Sequence, residues 1–195
     1  MTDTREKLVD AAVGLMLERG YEATGVEDIC KAAKVTKGSF FHYFDNKEAL
    51  GKAALERFSA TMKGKFAAAP QLKKEDPLDR LLALTDVVAS FTKDPLATKG
   101  CLIGTFTQEI AATHDGLRRV CEESFADSAG HLKSELDAAV AKHRPKEKID
   151  TRSTADYIIA TIQGALILAK ARKDSRPVVD AMGHLKRYLA GLFGR

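Results

Sequence analysis

Three helix starts fall within about 25 residues near the beginning of the chain, and that spacing limits the possible folds more than any other feature. Thr24, Thr36 and Asp45 each place a short oxygen-bearing side chain just ahead of a helical stretch. Glu27 and Glu48 follow the first and last of them by three residues, the reciprocal pattern that satisfies the N–H groups left open at a helix start. Starts this close leave room only for short helices joined by tight turns, which is helix-turn-helix spacing.

The rest of the chain carries helix signals and almost no strand signals. There is no sustained alternation of period two and no Asn-Gly or Asp-Gly hairpin. Asp3 with Glu6 reads as the cap of a first helix, Leu8, Ala11, Ala12 and Leu15 mark one of its faces, and Gly20 supplies the stop. A second helix is expected from Gly25 to Ala33, a third behind Thr36, and a fourth from Asn46 towards Phe66. Stretches 70–77, 93–100 and 143–150 read as loops, and helical patterns at 78–92, 101–112, 115–142, 152–172 and 177–193 lie around them. The expectation is an all-α chain of about nine helices: a small N-terminal domain over 1–60, then a larger helical domain over 61–195. Hydrophobic residues at 45% suffice for a core, and the apolar stretches break well short of the ~18 residues a membrane span needs. The opening Met1-Thr2-Asp3-Thr4-Arg5-Glu6-Lys7 has no apolar signal core, so a cytoplasmic location is expected.

Function is concentrated in Val35 to Phe44, which sets threonine, serine, histidine, tyrosine and lysine around an aromatic-rich short helix. Lysines neutralise phosphate and short polar side chains face base edges, which is the chemistry of a helix laid on DNA. The net charge of +4 permits nucleic acid without requiring it, but its distribution is more telling. Lys31, Lys34, Lys37 and Lys47 stand against the single acid Asp45, whereas residues 1–30 carry the opposite bias.

Residues Val26 to Phe44 closely resemble the DNA-binding motif of the TetR family of bacterial repressors, a resemblance that is motif-specific over about the first 60 residues and otherwise one of length and helix pattern. It implies a helix-turn-helix over about 25–44 that binds double-stranded DNA, followed by a ligand-binding and dimerisation domain. On that footing Thr36, Lys37 and Ser39 are the specificity positions, with Gly38 letting the backbone approach closely. His42, Tyr43 and Lys47 fall where such proteins touch phosphates, and the Thr24-Gly25 amides are placed to hold another by the helix-terminus effect. Phe40 and Phe44 are expected to turn inward against Ile29 and Leu50. Three positions depart from the family pattern. Phe41 stands among the DNA-facing positions where tyrosine is common, Lys34 occupies a turn position usually held by glycine, and Gly25 replaces a serine or threonine.

Near the C-terminus Val178, Met182, Leu185, Leu189 and Leu192 recur at spacings of 4, 3, 4 and 3, the seam of a helix lying along a partner. Ile158, Ile162, Ala165 and Ala169 do the same on the helix before. Pattern alone fits burial within one chain as well as a dimer interface. The family resemblance favours the dimer, since TetR-like proteins pair through their last two long helices, and a two-fold dimer suits a palindromic operator.

The three cysteines, Cys30, Cys101 and Cys121, form neither a disulfide framework nor a zinc signature, and no metal or cofactor is expected. Cys101 stands at a helix start beside Lys99, a setting that makes thiols reactive. It reads either as a sensor of electrophiles, as in TetR-like proteins with a similar Gly-Cys-Leu-Ile-Gly segment, or as a small buried hydrophobe. Cys30 and Cys121 read as core. The larger domain exceeds what dimerisation alone demands, which points to an unidentified small-molecule effector. Two other classes compete: a helical protein-interaction module, and an enzyme pairing Cys101 with His114 or Cys121 with His131. Neither pair is accompanied by an oxyanion hole or a glycine-rich phosphate loop, so no catalytic role is expected.

Overall fold

The computed structural model describes residues 3–93 and 99–195. Among them are nine α-helices and no strand: α1 (Thr4–Arg19), α2 (Val26–Ala33), α3 (Lys37–Tyr43), α4 (Lys47–Ala68), α5 (Pro77–Ser90), α6 (Leu102–Ile110), α7 (Asp115–His143), α8 (Thr151–Arg172) and α9 (Arg176–Leu192). These agree with the expected helices to within about two residues at each end. The expected loop at 70–77 contains a short 3-10 turn, Pro70–Leu72, whose opening proline has no N–H to leave unpaired. The expected loop at 93–100 lies mostly outside the described residues. None of the described helices is long and apolar enough to cross a membrane.

Packing does not follow chain order. One compact unit comprises residues up to 64 together with 101–124, and the other comprises 65–100 with 125–195. In the first, α1 buries Leu8, Val9, Ala12, Val13, Met16 and Leu17 and packs on α2, α3 and α6. Phe40 and Phe44 are buried, as are Ile29 and Leu50, and the two phenylalanine rings lie 5.9 Å apart. Gly51 lets α4 approach closely: a Cβ there meets the Tyr21 ring at 3.0 Å, Phe106 at 3.5 Å and Leu117 at 3.6 Å. Arg57 of α4 is ion-paired to Glu6 and, at 3.1 Å, to Asp10, both on α1.

In the second unit α9 packs against both α5 and α8. Its core includes Leu78, Leu81, Leu136, Ile158, Ala165, Met182, Leu185 and Leu189, each large apolar side chain contributing about 1.5–3 kcal/mol of burial. Arg80 bonds Glu135 at 2.8 Å, and Asp76 caps α5 through the N–H groups of Leu78 and Asp79.

The cap signals fare unevenly. Thr36 caps α3, its hydroxyl accepting the Ser39 N–H at 3.1 Å. Asp3 flanks α1 without a side-chain cap bond. Thr24 does not cap α2: its hydroxyl turns inward and donates to the Gly20 carbonyl at 2.6 Å, leaving Gly25 as the flanking residue. At α4 the cap is one residue later than Asp45, because Asn46 Oδ1 accepts the Ala49 N–H at 2.8 Å.

Candidate nucleic-acid interface

Helices α2 and α3 are joined by a turn that ends α2 in a Schellman arrangement. Lys34 adopts the left-handed conformation (φ 56, ψ 46), with its N–H bonded to Lys31 and that of Val35 to Cys30. A lysine there carries a Cβ penalty on the order of 1 kcal/mol that glycine avoids. The turn brings α3 out with its apolar side, Phe40, in the core and the remaining residues outward.

Thr36, Lys37, Gly38, Phe41, His42 and Tyr43 are all exposed on this one short element, and Ser39 is half-buried. The Thr36 and Ser39 hydroxyls lie 2.9 Å apart and share a hydrogen bond. Lys37 Nζ is held 3.0 Å from Glu27 Oε1, across from α2. A Cβ at Gly38 would meet only Thr36 Oγ1 at 3.8 Å, so nothing inside the protein requires glycine there. Phe41 leaves 53% of its surface in solvent while its ring meets Phe40 edge-on at 5.0 Å. His42 and Tyr43 stack edge to face at 4.8 Å. An exposed phenylalanine stiffened by a buried one is an apolar probe on an otherwise polar surface.

Two expected contacts, those of Thr24 and Lys47, are placed differently. Thr24 is fully buried and its amide is bonded to the Tyr21 carbonyl at 3.2 Å, so neither its hydroxyl nor its N–H is available to a phosphate. Gly25 is exposed at the start of α2, in the expected place. Lys47 donates to the Tyr21 carbonyl at 3.1 Å and lies 4.2 Å from the centre of the Tyr21 ring, so its ammonium is engaged within the protein. Burial, aided by Glu48 and Glu22, pushes the Tyr21 hydroxyl up to about 12.

Tyr21 and Glu109 position the helix-turn-helix in a way that local sequence patterns do not reveal. Glu109, on α6, accepts the N–H of Tyr21 at 2.7 Å and of Glu22 at 3.3 Å, holding the turn ahead of α2. The Tyr21 ring sits 5.2 Å from Phe106 and 5.3 Å from His114. Cys101 flanks the N-terminus of α6, half-buried and without a side-chain cap bond. Cys30 and Cys121 are buried, and burial pushes both thiols up. Among the described residues no cluster of His, Cys, Asp and Glu gathers to hold a metal.

The C-terminal seam is spent within the chain. Ile158, Ala165, Ala169, Val178, Met182, Leu185 and Leu189 are buried in the core of the second unit, with Ile162 and Leu192 packed at its edge. The periodic stripe therefore records α8, α9 and α5 closing on one another. A different face is exposed: Tyr157, Ile167 and Leu168 on α8, and Val179 and Tyr188 on α9.

Residues 8–54 match the family model of bacterial regulatory proteins, tetR family, and residues 77–185 match that of the tetracyclin repressor-like C-terminal domain. The chain is similar to the HTH-type transcriptional repressor NemR of Escherichia coli strain K12, with 28% identity covering 96% of this chain and 94% of the relative. It is likewise similar to the HTH-type transcriptional repressor DhaR of Mycobacterium sp. strain GP1, with 28% identity covering 91% and 87%. The crystal structure of a TetR transcriptional regulator from Chloroflexus aurantiacus superimposes with a TM-score of 0.87 at 28% identity, covering 96% and 94% of the two chains. Reduced E. coli NemR superimposes with a TM-score of 0.80, covering 95% and 97%.

Proposed function

Because the chain belongs to the TetR family of bacterial regulatory proteins, we propose that it is a transcriptional repressor that binds a palindromic operator as a homodimer and is released by a signal. The observation that carries the reading is the outward face of α3, where Thr36, Lys37, Gly38 and Phe41 are exposed together. Base edges offer acceptors for the hydroxyls and ammonium, and a thymine methyl offers an apolar partner for Phe41. His42 and Tyr43 serve phosphate oxygens, and the exposed Gly25 amide at the start of α2 suits another. Lys47 already gives one of its three N–H groups to the Tyr21 carbonyl, so its contribution is smaller than that of an unengaged lysine.

Dimerisation is assigned to the exposed face of the last two helices. Tyr157, Ala160, Gly164, Ile167, Leu168 and Ala171 form an exposed, uncharged stripe along α8, and the Tyr157 and Tyr188 rings meet across α8 and α9 at 5.1 Å. Contiguous apolar stripes of this kind mark interaction surfaces. Paired subunits then set two α3 helices in register with two half-sites. The signal is a small molecule received by the helical domain or a reaction at Cys101, and it acts by changing the separation of the two reading helices.

Selection of bound duplexes from a random library tests this reading. Recovery of a two-half-site palindrome whose binding weakens steeply with salt is the expected result. A folded protein that recovers no preferred sequence, with and without candidate effectors, overturns it. Cys101→Ser separates the two kinds of signal: if every electrophile tried still releases this variant from the operator, the thiol is not the receiver.

A further inference from the structure

Glu27 is out of place on a surface that meets DNA. It lies in the first turn of α2, 81% of its side chain is in solvent, and it brings negative charge to the end of the motif where phosphates approach. A carboxylate there weakens binding to every duplex, whatever the sequence. Its partner explains its position: Lys37 Nζ, at the first residue of α3, stands 3.0 Å from Glu27 Oε1. N-terminal residues of a recognition helix are those that reach base edges, while the preceding helix crosses the backbone. The pair therefore joins a backbone-side carboxylate to a base-side ammonium.

We infer that Glu27 is a positioning residue that sets sequence specificity through Lys37, an inference that rests on the DNA-reading role proposed for α3. Lysine on its own is a flexible point charge that finds the nearest phosphate oxygen. Tied to Glu27, the ammonium is drawn towards the α2 side and its charge is offset, which removes much of its attraction to phosphate. Its other two N–H groups can still donate from the start of α3, where the acceptors are base atoms such as guanine O6 and N7. Glu27 thus exchanges general affinity for discrimination. An exposed pair of this kind adds little to folding, so the effect belongs to recognition rather than stability. A carboxylate in the first turn also suits the helix dipole of α2, but that role alone would leave base preference untouched.

The test compares the full-length wild type with Glu27→Gln, Lys37→Gln and the double variant, on the selected operator, its single-base variants and a random duplex. Both positions are exposed, and thermal unfolding checks that each variant is folded. Glu27→Gln is expected to tighten random-duplex binding several-fold, to raise the salt slope by about one per half-site, and to lose about tenfold discrimination at one half-site position. Lys37→Gln is expected to lose preference at that same position, and the double variant to match Lys37→Gln there. Unchanged preference in Glu27→Gln overturns the inference. So does a loss at a different position from that of Lys37→Gln, which would make Glu27 a direct reader of bases. If the wild type itself prefers no sequence, the DNA-reading proposal falls, and this inference falls with it.

Discussion

The Glu109 carboxylate accepts the main-chain N–H of Tyr21 at 2.7 Å, joining residues 88 apart in sequence. It also accepts the N–H of Glu22. The helix that begins behind Cys101 is thereby bonded to the turn that launches the helix-turn-helix, all within one compact unit. Gly20 belongs to the same arrangement. It has φ +91, and a Cβ there would run into the Glu109 carboxylate. Gly20→Ala is expected to destabilise by more than about 1 kcal/mol, combining backbone strain with displacement of Glu109 from two N–H groups. Glu109→Ala, which strands the part-buried Tyr21 N–H, is expected to cost about 1–3 kcal/mol. In urea unfolding the double variant should lose less than the sum of the two. Strict additivity would show that Glu109 does not hold this turn.

Lys34 is a lysine in a glycine's conformation. Lys34→Gly should raise stability by less than about 1 kcal/mol, the left-handed penalty less the extra entropy of the unfolded chain. The unfolding midpoint measures this. A loss of stability would mean that the lysine side chain outweighs its backbone strain.

Gly38 has no internal reason to be glycine. Gly38→Ala should leave the free protein as stable as before, or up to about 1 kcal/mol more stable, while operator affinity drops because the methyl group holds the backbone off the DNA. Parallel unfolding and mobility-shift titrations separate the two effects. Undiminished affinity would remove Gly38 from the interface.

The two faces of α8 and α9 should respond differently to substitution. Leu185→Ala, in the core, is expected to cost about 2–5 kcal/mol without changing the mass of the folded particle. Leu168→Arg, on the exposed face, should leave the subunit folded and shift sedimentation to the monomer. A dimer indifferent to Leu168→Arg would place the interface elsewhere.

Acid sensitivity should have one identifiable source at Asp76. The imidazole N–H of His143 donates to its carboxylate, with Nε2 2.9 and 3.0 Å from the two oxygens. That bond, with help from Lys142 and the N–H groups of Asp79 and Leu78, holds the carboxyl well below its ordinary value of 3.8. A depressed carboxylate contributes stability that is complete above its unfolded pKa and is lost as pH falls towards the folded one. The stability gap between wild type and Asp76→Asn should therefore be flat above about pH 5 and narrow below about pH 4. A gap independent of pH down to 3 would mean that ionisation of Asp76 is not the source.

The helices were legible because apolar periodicity and loop residues are local signals, and the same locality explains the misses. Thr36 caps its helix because the hydroxyl and its acceptor site lie within one turn. Thr24 carries the same signature, but the turn after Gly20 sends its hydroxyl to a carbonyl in the core. The seam from Val178 to Leu192, expected at a dimer interface, has a periodicity that demands burial without saying what provides it, and here these residues pack in the core of the second unit. Helix α8 is apolar on two sides, so the stripe through Tyr157 and Leu168 does not stand out from periodicity alone. Glu109 gives no local signal at all, since its partners are main-chain N–H groups on a distant turn. At the reading surface the residue types were legible in order, whereas the pairing of Lys37 with Glu27 needed the turn that sets α3 against α2.

The most direct test of the account is a hydroxyl-radical footprint of the full-length protein on its selected duplex. Two protected patches on one face of the DNA, related by a dyad and separated by about one or more helical turns, are predicted. A single patch, or protection spread evenly along the duplex, would contradict a dimer that reads paired half-sites through α3.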